Sequence, residues 1–391
     1  MSWPLVELAS LEGQKGDLVD GPFGSNLKAA EYVESGVPII QLKNIKPNAY
    51  IAKDLRYISP KKAGELSRHS YRPGDVVIAK LGAVGTACII PEDSPAGVIV
   101  ADVVRFRGRS DRIDHRYLCY FMNSSTGQRA VAKLSRGTTR VRTNLSDLKK
   151  VEIPLPPLPE QKRIAAILDR ADAIQRKRQQ AIQLADDFLR AVFLDMFGDP
   201  VTNLKGWEVK PVGDLCDCIV PGRDKPKSFN GPTPWITTNE LIHLGITFKK
   251  ENFIGLSADE ISEVRAKVVP RSSVIMTCVG DLGVVSVAGE DMIINQQLHA
   301  FLPNEKISPV FLSYALAWQK GYMLKMASST TLPYMNKAVC NSVPVILPPK
   351  VMQKKFEDVV LKTTLFKSKS IGFSDETVFA SISHKAFSGQ L

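Results

Sequence analysis

The sequence predicts a mixed α/β chain built as two similar halves, each a globular α/β domain followed by a long helix. Three observations predict this. A proline-rich connector, Val151-Glu-Ile-Pro-Leu-Pro-Pro-Leu-Pro-Glu-Gln-Lys162, leads into a stretch without Pro or Gly from Glu160 to Phe197. A decayed copy, Val343-Pro-Val-Ile-Leu-Pro-Pro-Lys-Val-Met-Gln-Lys354, precedes a second helical stretch near the C-terminus. Both halves also open alike, on Trp3-Pro-Leu-Val-Glu-Leu and Trp207-Glu-Val-Lys-Pro-Val. Asn144/Asn336, Val151/Val343, Leu155/Leu347, Pro156/Pro348, Pro157/Pro349, Gln161/Gln353 and Lys162/Lys354 coincide without a gap, so the chain is an internal repeat.

The first globular segment spans 1–149. Asp20-Gly-Pro-Phe-Gly-Ser-Asn-Leu is a loop whose glycines permit positive φ and close backbone approach; on residues alone it reads as a tight turn. A strand at Val37–Leu42 ends on Lys43 and Asn44. Ser59-Pro60 caps a short helix. The turn at Arg72-Pro-Gly leads into a buried strand and then Gly82-Ala-Val-Gly85. A phosphate cradle would need a G-x-x-x-x-G-K-[ST] frame and a helix pattern after it, and neither is present, so the glycines read as a hairpin turn. One strand is expected over Val98–Phe106 and a short helix around Tyr117–Met122. The segment closes on Ser135-Arg-Gly-Thr-Thr-Arg-Val-Arg-Thr-Asn144. Arginines interleaved with hydroxyls suit phosphates and base edges.

The connector and central helix fill 150–200. Pro154, Pro156, Pro157 and Pro159 fix φ and lack the N–H, so they read as an extended polyproline segment. Ile167, Ala171, Ile174, Arg178, Ala181, Ala185, Phe188 and Val192 alternate in spacings of four and three, the seam of a coiled coil. Leu168, Ile182, Leu189 and Met196 widen it on one side. At ~1.5 Å per residue this is a rod of roughly 55 Å. Gly198 and Pro200 stop it.

The second domain, 201–342, repeats the order. Thr233–Ile236 is a strand followed by Thr238 and Asn239; Gly280 and Gly283 mark the hairpin; Met292–Phe301 is a strand and Phe311–Trp318 a helix. The closing loop becomes Ser328-Ser-Thr-Thr-Leu-Pro-Tyr-Met-Asn336, keeping its frame while arginines give way to Tyr and Ser. A purely structural loop needs no such exchange, so both loops read as functional. The last segment, 343–391, carries the second connector and a helix whose seam is Phe356, Val359, Val360, Leu365 and Phe366. Ser368–Gly372 is expected to break that helix, with Ser374-Asp-Glu recapping it.

A chain of 391 residues with a net charge of +11 holds two or three domains and favours a polyanionic partner. Six cysteines form no C-x-x-C pair, and Cys216-Asp-Cys218 has no histidine nearby, so it reads as strand rather than zinc ligand. The five histidines are dispersed and read as surface or core residues. No apolar run approaches the ~20 residues of a membrane span, and a cytoplasmic protein with reduced thiols is expected. Walker, H-E-x-x-H and [DN]-P-P-[YF] motifs are absent, as is a glycine-rich S-adenosylmethionine loop; the chain reads as non-catalytic.

The Asp20–Leu27 loop, the twice-used connector and the terminal Lys385-Ala-Phe-Ser-Gly-Gln-Leu391 together resemble the specificity (S) subunit of type I restriction-modification enzymes. The resemblance implies two target-recognition domains in a pseudo-twofold repeat, each reading one half of a split DNA sequence, with the two long helices packed as an antiparallel coiled coil. It implies two modification subunits that methylate adenine with S-adenosylmethionine, and restriction subunits that use ATP and Mg; no cofactor belongs to this chain. The candidate DNA-binding residues are Lys43, Asn44, Lys80, Arg136, Thr138, Thr139, Arg140 and Arg142 in the first half. In the second they are Thr238, Asn239, Ser328, Ser329, Thr330, Thr331 and Tyr334. Candidate subunit contacts along the helices are Ile167, Ile174, Phe188, Val192, Phe356, Val359, Phe366 and Phe379. The competing classes are a coiled-coil scaffold or adaptor, and a DNA-binding regulator without a methyltransferase partner.

Overall fold

The computed structural model describes residues 3–22, 24, 26–135, 141–222, 224–328, 331–370 and 375–391, with backbone alone at 369–370 and 375–378. The chain divides into two compact units, Met1–Gln179 with Ile371–Leu391, and Gln180–Ser370.

In the first unit the principal strands are β1 (Leu5–Glu7), β2 (Leu18–Asp20), β3 (Val76–Ala79), β4 (Ala87–Ile89) and β5 (Val103–Phe106). An antiparallel sheet has the order β4-β3-β5-β2. Every residue of β3 and β5 is buried, which is why β3 reads as an unbroken apolar run. Gly82 and Gly85, at φ 73° and 83°, turn β3 into β4 as a hairpin. A second sheet of five short strands includes Val37–Ile40 and Gly97–Ile99, paired parallel. The single strand expected over Val98–Phe106 is therefore two, one in each sheet, with a turn at Ala101–Asp102. Apolar periodicity runs on through that corner because the residues on both sides of it are buried.

α1 (His115–Asn123) starts where the Asp114 carboxylate accepts from the N–H groups of Arg116 and Tyr117, and it buries Tyr117–Met122. β6 (Glu152–Pro154) is the first turn of the connector drawn into a two-stranded ribbon with β1, pairing Leu5 with Pro154. The Tyr117 hydroxyl donates to the Pro154 carbonyl at 2.7 Å. α2 (Leu158–Phe197) begins two residues before the expected Glu160, with Pro159 in its first turn, where no N–H is needed.

The second unit repeats this frame with β7 (Val209–Pro211), β8 (Asp217–Ile219), β9 (Val274–Thr277), β10 (Val285–Ala288) and β11 (Leu298–Leu302). Its main sheet has the order β8-β11-β9-β10, extended by Ile246–Thr247 parallel to β10. Met292–Phe301 is again two strands, Ile293–Ile294 and β11, in different sheets. α3 (Pro309–Trp318) matches α1, and β12 (Pro344–Ile346) pairs with β7 as β6 does with β1. α4 (Lys350–Ser370) and α5 (Asp375–Ser388) complete the chain. α4 continues as helix through Ser368–Ser370, where the expected Ser368–Gly372 break was to begin, and the rest of that break lies outside the described residues.

The helices pack onto their domains. In the first unit Ile164, Ala165 and Leu168 of α2 join Phe387 of α5, whose ring lies 5.4 Å from both Tyr117 and Phe121. Arg163 bonds the Leu391 carbonyl at 3.0 Å, while Tyr120 bonds Asp169 and faces Phe379. α2 and α5 therefore run antiparallel there. In the second unit Phe193 and Phe197 lie 5.4 and 5.7 Å from Phe356 of α4, and Asp186 pairs with Lys367, again antiparallel.

The expected seam is displaced. Ile174 and Phe188 are about half exposed, as is Phe366 of α4; Ile167, Val192, Val359 and Phe379 are partly buried, and Phe356 is fully buried. The buried line on α2 keeps Leu168, Ala185 and Leu189 of the expected seam and its flank, and adds Ile164, Ala165, Phe193 and Phe197. A helix lying on a globular core follows its own 3.6-residue period, whereas the predicted seam assumed the 3.5-residue period of a two-helix contact.

Candidate nucleic-acid interface

Each hairpin holds a loop edge in place. In the first unit Gly82 N–H donates to the Val141 carbonyl (3.1 Å) and Thr143 N–H to the Lys80 carbonyl (3.0 Å). In the second, Gly280 N–H donates to the Pro333 carbonyl (2.9 Å) and Met335 N–H to the Cys278 carbonyl (2.9 Å). The same two-bond ladder thus fixes the ends of both candidate loops. Arg136, Thr138, Thr139 and Arg140 of one, and Ser329 and Thr330 of the other, lie outside the described residues.

Arg142 projects from the first edge with its side chain 62% exposed and its guanidinium 3.2 Å from Asp102. Lys80 lies beneath, only 5% exposed, with its ammonium 2.9 Å from Asp20. Asp20, Lys80, Arg142 and Ser146 share a cavity of about 500 Å³. Asp20 opens the glycine loop. Its carbonyl accepts from His69 Nδ1 at 2.7 Å, and a side chain on Gly21 would lie 1.8 Å from the Val100 carbonyl, so glycine is required there by close approach. Phe23 and Ser25 lie outside the described residues.

On the second edge the Ser328 N–H and hydroxyl both donate to the Tyr334 carbonyl, at 3.0 and 3.2 Å, and Tyr334 and Thr331 are exposed. Thr238 is half-buried and Asn239 exposed, in a turn held by Thr237 bonding Glu240. Lys43 is exposed, but Asn44 is fully buried. Its amide donates to the carbonyls of Ile51 (2.8 Å) and Lys53 (3.2 Å), and its oxygen accepts from Gln41 N–H. Asn44 is a structural pin for the turn, a correction to its reading as a DNA contact. Sequence cannot separate an Asn that caps a turn from one that reaches outward.

The arrangement gathers Lys80 and Arg142 and adds two acids, Asp20 and Asp102, that the sequence reading missed. Sheet register creates both pairs, across 60 and 40 positions of sequence. Among the described residues no helix is long and apolar enough to cross a membrane, and no group of His, Cys, Asp and Glu is placed to hold a metal.

Type I restriction modification DNA specificity domains match this chain twice, at residues 24–184 and 204–360. The chain belongs to that family. Its type I specificity-subunit relatives include the MjaIX subunit of Methanocaldococcus jannaschii, 22% identical over 383 residues, covering 88% of this chain and 83% of that one. The EcoBI specificity subunit of Escherichia coli is 24% identical over 174 residues, 44% of this chain and 36% of the other. Among solved structures, the type I S subunit from M. genitalium superposes with a TM-score of 0.60 at 15% identity, covering 99% of this chain and 96% of that one. A chain from a type I R-M system assembly superposes with a TM-score of 0.54 at 18% identity, covering 100% and 98%. The type I specificity fold is thus shared where little sequence is. The two family matches meet the two repeats of hairpin, loop edge and long helix described above.

Proposed function

We propose that this chain is the non-catalytic DNA-recognition subunit of a cytoplasmic type I restriction-modification complex. Each unit reads one half of a split, asymmetric duplex target. The observation that carries this reading is one backbone frame used twice, with the same sheet order and loop anchoring but different side chains at the loop edge. A duplicated frame with divergent edges suits two separated, unequal half-sites. Lysine and arginine contacts to phosphate set position and orientation, while the edge residues select base pairs. The net charge of +11 supplies the sequence-independent attraction. The helices α2, α4 and α5 hold two modification subunits, which carry S-adenosylmethionine and methylate adenine; restriction subunits using ATP and Mg join that core.

The test is to express the chain with its modification subunits in a methylation-free host and sequence the methylated genome. Methyladenine within one interrupted, asymmetric sequence is expected. No methylation, or methylation independent of this chain, overturns the proposal. A duplex affinity insensitive to salt would point to the scaffold class instead.

A further inference from the structure

Four positions around the loop edge can be matched between the units through backbone contacts alone. Lys80 N–H bonds the Asp102 carbonyl and its carbonyl accepts from Thr143; Cys278 N–H bonds the Gln297 carbonyl and its carbonyl accepts from Met335. Leu81 bridges Arg142 as Val279 bridges Tyr334. On the sheet, Val19 pairs with Arg105 as Ile219 pairs with Ala300, so the next residues, Asp20 and Val220, also correspond. The first unit thus places Asp20, Lys80, Asp102 and Arg142 where the second places Val220, Cys278, Gln297 and Tyr334. All four are ionisable charges in one unit and all four are uncharged in the other.

We propose that this quartet is the base-reading patch of the first unit and that it takes the major-groove edge of a G·C pair. The inference rests on the DNA-recognition function proposed above. Two acids and two bases sum to zero formal charge, so the patch has no net attraction for phosphate. It offers both donors and acceptors, which a base-pair edge requires. Arg142 is the exposed member, and a guanidinium donates two parallel N–H bonds to guanine O6 and N7. Asp20, held by the buried Lys80, accepts from the cytosine amino group. Asp102 is a positioning residue: its contact at 3.2 Å restrains the Arg142 fork before DNA arrives. The second unit, with a phenol and an amide at these places, reads its half-site by different contacts.

The experiment uses the complete chain assembled with its modification subunits, comparing binding to duplexes carrying every base pair at each position of the target. Arg142→Ala should cost about 5- to 150-fold in discrimination at one G·C position of one half-site. The other half-site and the slope of log affinity against log salt should stay as in the parent. Asp102→Asn should weaken discrimination at that same position, and Asp102→Glu should restore most of it. Unfolding midpoints within a degree of the parent exclude a folding defect; should Asp102→Asn fail this check, Arg142→Lys, which keeps the charge but not the fork, must lose the same position. Uniform weakening across all duplexes with a slope shallower by about one unit would make Arg142 a phosphate contact and overturn the proposal. Unchanged discrimination would overturn it too. A parent complex that prefers no sequence would instead sink the DNA-recognition reading itself.

Discussion

Gln161 and Gln353, at equivalent places in the repeat, make the same three hydrogen bonds in their own units. The Gln161 amide donates to the carbonyls of Arg112 and Pro156, both at 2.9 Å, and its oxygen accepts from Asp114 N–H at 2.9 Å. Gln353 donates to Lys306 (3.2 Å) and Pro348 (2.9 Å) and accepts from Ser308 N–H at 2.8 Å. Both side chains are fully buried. Each ties the start of a long helix to the loop that enters the neighbouring domain helix. A neutral amide, with two donors and an acceptor on one plane, is what three such backbone groups need.

Replacing Gln161 with Ala leaves two carbonyls and one N–H buried without partners. A loss of about 2–4 kcal/mol in unfolding free energy is expected, measured by urea denaturation of the intact chain. Gln161→Glu should be at least as costly, because a carboxylate faces two carbonyl oxygens. A loss under about 0.5 kcal/mol for both variants would show that the clamp does not matter.

The displaced seam gives a contrast between two phenylalanines on one helix. Phe193 is fully buried against Phe311, Tyr314, Trp318 and Phe356, whereas Phe188 is 52% exposed. Phe193→Ala should cost about 3–5 kcal/mol and Phe188→Ala less than about 1 kcal/mol. If Phe188 stiffens a subunit interface, its variant should instead lower the affinity for the modification subunit. Equal destabilisation by the two variants would restore the seam predicted from spacing.

His299 lies inside β11 of the second unit, 4% exposed, and its Nδ1 has no hydrogen-bond partner. Burial, and next the charge of Lys337, push its pKa down to about 4. The unfolded chain therefore binds a proton between about pH 6.5 and 4 that the folded chain refuses. Stability is unaffected above pH 6.5 and falls by at most about 3 kcal/mol as pH drops to 4. Tryptophan emission reports it, since Trp207, Trp235 and Trp318 all belong to the second unit. His299→Val, which matches Val104 of the first unit, should flatten this part of the pH profile. An unaltered profile would assign acid sensitivity to other groups.

Lys80 depends on Asp20. Asp20→Val alone strands a buried ammonium and should cost about 3 kcal/mol, the low end for a broken buried pair because the Asp20 side chain is partly exposed. The double variant Asp20→Val/Lys80→Cys, carrying the second unit's residues, should cost less than the sum of its singles. Strict additivity in thermal unfolding would mean that the pair does not interact.

The sequence by itself determined the repeat, the order of the main elements in each half and the end of α2 at Phe197, and it placed the starts of the long helices to within a turn. These follow from local rules: prolines forbid helix interiors, glycines at positive φ make hairpins, and a long run without either favours helix. Gln161 and Gln353 were already visible as matched letters, but their role was not, since hydrogen bonds to loops 45 to 49 residues away leave no local trace. Only the tertiary structure decided which face of α2 is buried, because that depends on the curvature and period of the surface beneath it. It also decided that Asn44 turns inward, that each predicted long strand bends into two sheets, and that Asp20 meets Lys80 while Asp102 meets Arg142. Those last partners lie on different strands and loops, and antiparallel register, which no spacing along the chain encodes, is the physical cause that brings their charges within bonding distance.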